Sequence, residues 1–171
     1  MFIRIKKISN KEYAYLVKNV WKKRKKASRQ KVSSYLGRVY KLSKIKNEQL
    51  KDCSNLSAKA IIKELIKQEL INHGFQETKV NNFEKDNFIV NLKKKEVKDK
   101  KTKKQICLEI NNNFLCAYTL RKLLNFSPKQ GLTKLQVGKE LANAFESAGI
   151  IVPKELFVII AQKILKSIEA N

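Results

Sequence analysis

The chain has 171 residues, 43% of them hydrophobic, which suits one domain or a small module joined to a larger one and argues against disorder of the whole. Its 38 Lys and Arg against 15 Asp and Glu leave a net charge of +23, a self-repulsion that a polyanionic partner relieves, either nucleic acid or an anionic membrane surface. Three cysteines (Cys53, Cys107, Cys116), with no CxxC and a single histidine, argue against a disulfide framework or a zinc site and read as thiols of a reducing compartment.

The opening "MFIRIKKIS" has no apolar core of a signal peptide, and "LFVIIA" near the end is too short to span a bilayer. A cytoplasmic protein without a membrane partner is expected. The charge is graded. Residues 1–50 carry 16 basic and 2 acidic side chains, residues 51–104 carry 14 and 8, and residues 105–171 carry 8 and 5. Five of the cations are Arg. A Lys excess favours neutralising phosphates over bidentate reading of bases.

In chain order, β-branched and aromatic residues predict strands at 2–8 ("FIRIKKI"), 12–21 ("EYAYLVKNVW") and 28–37 ("SRQKVSSYLG"). Together they form an antiparallel β-meander whose second turn is the cationic run Lys22, Lys23, Arg24, Lys25 and Lys26, without Gly, Asn, Asp or Pro. Strict alternation places Ile3, Ile5, Ala14, Leu16, Val20, Val32 and Leu36 on a core face. It places Arg4, Lys6, Tyr13, Tyr15, Val17, Trp21, Arg29, Lys31 and Tyr35 on the other, an aromatic face mixed with cations. Bases stack on such rings for about 1–3 kcal/mol each, with neighbouring cations holding phosphates.

Residues 45–56 are polar and read as a linker between a basic module (1–44) and an α+β domain (57–171). Residues 57–73 predict a long amphipathic helix capped by Ser57 and ended by Gly74, with Ile61, Ile62, Leu65, Ile66 and Leu70 on one face. "NFIVNL" (87–92) and "QICLEI" (105–110) predict a β-hairpin. Its tip, "KKKEVKDKKTKK", supplies Lys93, Lys94, Lys95, Lys100, Lys101, Lys103 and Lys104 as a secondary cationic loop. A short helix is expected from Thr119. Then comes a C-terminal helical pair, one helix from Thr133 to Gly149 and one from Pro153. The last helix is apolar past a single stripe, which predicts burial on more than one side or a homodimer. The fold class is α+β.

The run "MFIRIKKISNKEYAYLVKNVW…SRQKVSSYLGR" resembles the N-terminal segment of certain insertion-sequence transposases and of small uncharacterised archaeal proteins. The matching residues are Tyr13, Tyr15, Leu16 and Val17, then Tyr35, Leu36, Gly37 and Arg38. The resemblance implies a DNA-associated accessory segment. The acidic-triad nuclease domain that follows in the transposases has no counterpart in the remaining chain.

No phosphate-binding glycine loop or spaced carboxylate set is present, and His73 at a helix end reads as structural. The C-terminal pair does not read as a helix-turn-helix, because its last helix opens with Pro153, Lys154 and Glu155 and then turns apolar. The sequence therefore predicts a non-enzyme without cofactor or metal that binds DNA or structured RNA. Trp21, Tyr13, Tyr15, Tyr35 and the cations named above are its site. A ribosome-associated RNA-binding protein and a dimeric adaptor are the alternatives.

Overall fold

The computed structural model describes residues 1–23, 26–48, 50, 53, 55–129 and 131–169, with the backbone alone for Lys22, Ile168 and Glu169. Among the described residues, nine strands and four helices are arranged as β1 (Phe2–Ile8), β2 (Lys11–Lys22), β3 (Ala27–Lys41), α1 (Ala58–Asn72), β4 (Gln76–Lys79), β5 (Asn82–Lys85), β6 (Phe88–Asn91), β7 (Glu96–Asp99), β8 (Ile106–Ile110), β9 (Asn113–Leu115), α2 (Ala117–Leu124), α3 (Lys134–Ala148) and α4 (Lys154–Glu169). The fold is mixed α+β.

One sheet has the order β1-β2-β3-β8-β9 and the other β4-β5-β6-β7. In the first, β1, β2 and β3 form the expected antiparallel meander, and Ser9 and Asn10, both at positive φ, make its first two-residue turn. β3 then pairs in parallel with β8, from Arg38↔Ile106 to Lys41↔Glu109. The sheet thus runs from the N-terminal meander into residues of the C-terminal region. Asn111 and Asn112, again at positive φ, turn β8 back into β9.

The hairpin expected between 87–92 and 105–110 is not formed. β6 (Phe88–Asn91) pairs with β5 and β7, and β8 (Ile106–Ile110) lies in the other sheet. The reason lies inside the lysine run. Val97 is fully buried, and burying it draws Glu96–Asp99 into a strand. Strands β4 and β5 were not anticipated either. Each has four residues, and short two-residue turns at Val80–Asn81 and Asp86–Asn87 connect β4 to β5 and β5 to β6.

α1 follows its sequence signals. Ser57 Oγ accepts from Ala60 N at 3.3 Å, and Gly74 leaves the helix at φ 86. Ile61, Ile62, Leu65, Ile66 and Leu70 enter the main core with Phe83, Val90 and Val97 of the small sheet and Leu108 and Ile110 of β8. In α4, Ile160 and Ile164 are buried in this core, and Leu156, Phe157, Ile159, Ala161 and Leu165 pack against it partly exposed. Residues 45–48 are tied to the end of α1: Ile45 and Lys46 donate to Asn72 O, and the Asn72 side chain bonds the backbone of Glu48 in both directions at 3.1 Å. No helix among the described residues is long and apolar enough to cross a membrane.

His73 caps α1 and is 1% exposed, its Nδ1 2.9 Å from Glu69 O. Glu69, also buried, accepts from Asn111 Nδ2 at 2.7 Å and lies 3.8 Å from Lys44 Nζ. Asn111 donates on to Gly149 O at 2.8 Å, so one carboxylate joins α1, the β8–β9 turn and the end of α3. Glu69→Ala leaves a partly buried amide short of an acceptor. It is expected to lower unfolding free energy by about 1–3 kcal/mol in urea titration, with nucleic-acid binding unchanged.

Candidate nucleic-acid interface

Pairing of β1 with β2 stops at Phe2↔Val17, and pairing of β3 with β8 begins only at Arg38. Between these limits β2 and β3 pair only with each other and project as a two-stranded ribbon. Every residue of β3 from Ala27 to Tyr35 is exposed, as are Lys18, Asn19 and Trp21 of β2. Five residues of β2, Lys18–Lys22, make a shaft of about 17 Å. From Tyr13 to Asn47 the sequence holds 12 basic residues and no acid.

Register sorts the ribbon's residues. Val17↔Val32, Asn19↔Gln30 and Trp21↔Ser28 share one face, and Lys18↔Lys31, Val20↔Arg29 and Lys22↔Ala27 share the other. Arg29 and Lys31 therefore lie opposite the aromatic face on which strict alternation placed them, and Val32, expected in the core, is 45% exposed on the aromatic side. The cause is the β-bulge in β3 between the pairs Leu16↔Ser34 and Val17↔Val32; a second, between Ala14↔Gly37 and Tyr15↔Tyr35, lies on the far side of Tyr35 and does not separate it from Arg29 and Lys31. Each adds an unpaired residue and reverses the alternation. Lys18 lies on the face that alternation along β2 gives to Ala14 and Leu16, so by sequence it reads as a position over the core. It appears as a site residue only once its partner is known to be Lys31.

At the tip, Lys26 N donates to Lys23 O at 3.2 Å, and Lys26 takes φ 43, a left-handed conformation adopted without glycine. Arg24 and Lys25 lie outside the described residues.

Toward the base of the ribbon the aromatic face continues. The rings of Tyr15 and Tyr35 lie 5.4 Å apart and those of Tyr13 and Tyr35 6.3 Å apart. Lys6 Nζ sits 5.2 Å from the centre of the Tyr15 ring. Arg4 Nη1 donates to Gln30 Oε1, tying β1 to the shaft. Partial desolvation, then the neighbouring Tyr13 and Tyr15, pushes the Tyr35 phenol above its usual range. The opposite face of the sheet is closed: Ala14, Leu16, Leu36, Val39, Cys107 and Cys116 form a second core against Tyr118 of α2.

The second cationic region is divided by β7. Lys93, Lys94 and Lys95 fall in the turn before it and Lys100, Lys101, Lys103 and Lys104 in the turn after it. Several of its charges are answered locally. Lys100 bonds Glu84 at 2.6 Å, Lys98 bonds Glu96 at 2.8 Å, and Lys95 donates to Asn125 at 2.5 Å. Backbone N–H groups of Thr102 and Lys101 donate to Asp99, and the Thr102 bond leads in holding that carboxyl below its usual range. The chain leaving this turn meets β3 at Gly37, where Gln105 O lies close against the glycine, two residues from Tyr35.

Among the described residues no group of three or more His, Cys, Asp or Glu is arranged to hold a metal ion. Comparison with protein-family models, with curated proteins and with solved structures finds no match.

Proposed function

We propose that this protein binds nucleic acid without catalysing a reaction on it, gripping phosphates of DNA or structured RNA with the β2–β3 ribbon. The observation that carries the reading is the cross-strand pair Lys18↔Lys31 on a two-stranded, exposed ribbon. Like charges directly opposite destabilise a strand pair, by about 0.8 kcal/mol at ~5 Å in water. A lone hairpin is marginal to begin with. Lys23, Lys26 and Arg29 add to the repulsion, and the sequence of the ribbon holds no acid to relieve it. Phosphates turn that cost into affinity, because each contact releases condensed counterions. The Lys93–Lys104 region is secondary, since its own acids already neutralise part of it.

The test is a salt titration of binding with a protection map. The logarithm of affinity is expected to fall with log salt by about 0.9 per phosphate on B-DNA and about 0.7 on single strands. Trypsin cleavage and hydrogen exchange are expected to be suppressed on binding at residues 18–34, more than at Lys59–Lys67 on α1. Protection confined to 93–104 moves the site there, and salt-independent binding or none removes the reading. Co-sedimentation with ribosomal particles would assign the ligand as ribosomal RNA.

A further inference from the structure

Resting on that reading, we infer that the ligand presents unpaired bases, and that the tyrosine face of the sheet stacks them while the ribbon's cationic face and β1 hold the backbone. The bulge at Ser33 in β3 separates two kinds of chemistry that the sequence interleaves. On one face stand Tyr13, Tyr15 and Tyr35, then the amides Asn19 and Gln30, then Trp21, a line of about 27 Å from Tyr13 to Trp21. On the reverse face stand Lys18, Arg29 and Lys31. A duplex buries its base faces in its own stack and offers none of them to a row of exposed rings. A single strand, or a loop of a folded RNA, offers every base.

Three observations point to this occupant. Tyr35 is 53% exposed and Trp21 61%, although one side of the same sheet closes a core with Leu16 and Leu36. Ile8, Tyr13, Tyr15 and Tyr35 line an open apolar hollow of about 460 Å³, room for a stacked base. Its rim is cationic: Lys6 lies over Tyr15, Arg4 pairs opposite Tyr15, and Arg38 pairs opposite Tyr13. Rings to stack on, amides that pair with base edges, and a cationic rim for phosphates are the requirements of a single-strand platform.

The experiment measures anisotropy of labelled single-stranded DNA, single-stranded RNA of the same sequence and the matching DNA duplex with the full chain, Tyr35→Ala and Tyr35→Phe. Single strands are expected to bind more tightly than the duplex. Tyr35→Ala is expected to weaken them roughly 5- to 150-fold, with the salt slope unchanged because stacking releases no counterions, while Tyr35→Phe binds nearly as wild type. Trp21, the sole tryptophan, is expected to lose fluorescence on single strands and not on the duplex. A preference between the DNA and RNA strands names the sugar and supports the inference either way. Equal or tighter duplex binding, or wild-type affinity in Tyr35→Ala, overturns base stacking while a steep salt slope leaves the phosphate reading standing. Absence of binding to all three overturns both.

Discussion

Replacing Lys18, Lys23, Arg29 and Lys31 together with Ser is expected to lower affinity for nucleic acid by about 10³-fold near 0.1 M salt and to flatten the salt slope by about 3. All four side chains are exposed, and among the described residues none of them makes an ion pair with an acid. A charge-matched control, Lys59, Lys129, Lys139 and Lys154 to Ser, removes the same net charge from exposed helix and loop positions. If the ribbon acts as a local grip, the control loses little. If both variants fall equally, affinity comes from the field of the whole protein. Removing the Lys18↔Lys31 repulsion also predicts that the ribbon variant unfolds no more readily than wild type, which separates lost contacts from lost fold.

The second large effect is on stability. Gly37→Val is expected to cost about 3 kcal/mol or more in urea unfolding. Gly37 takes φ 131, and a Cβ there would stand 2.5 Å from Gln105 O and 2.6 Å from Ile106 Cα, both backbone atoms. Relief requires β3 and β8 to separate where their parallel ladder begins, at Arg38↔Ile106. The comparison is Gly138→Ala, in the middle of α3 with nothing within 4 Å of an added Cβ, where helix propensity predicts a gain of up to about 1 kcal/mol. A cost at Gly37 below about 1 kcal/mol would mean that the junction yields without loss.

Helices were legible because their signals are local. Ser57 and Thr133 cap α1 and α3, the latter through a capping box with Gln136, and Gly149 ends α3 in the left-handed conformation. The first three strands were legible from their aromatic and β-branched residues. What escaped was long-range or short. Nothing near β3 announces that β8, some 65 residues on, will pair with it in parallel. β7 has a single buried residue, Val97, inside a run of lysines, and periodicity over four residues carries almost no weight. The candidate site was legible in composition and not in geometry. Trp21, Tyr13, Tyr15 and Tyr35 do share one face, but strict alternation puts Arg29 and Lys31 with them, because the bulge at Ser33 carries no glycine or other turn residue to mark it.

The Ser33 bulge lies at the foot of the shaft, between the core pair Leu16↔Ser34 and Val17↔Val32, so the ribbon beyond it is an arm of adjustable reach. Two residues added to each strand past Val17↔Val32 would lengthen it by about 7 Å and keep every ring, amide and cation on its own side. One residue added to each would turn the new segment over relative to the tip. The length of the arm can therefore drift in steps of two among descendants of this sequence while the core beneath it stays the same, and the span of ligand it covers would change with each step.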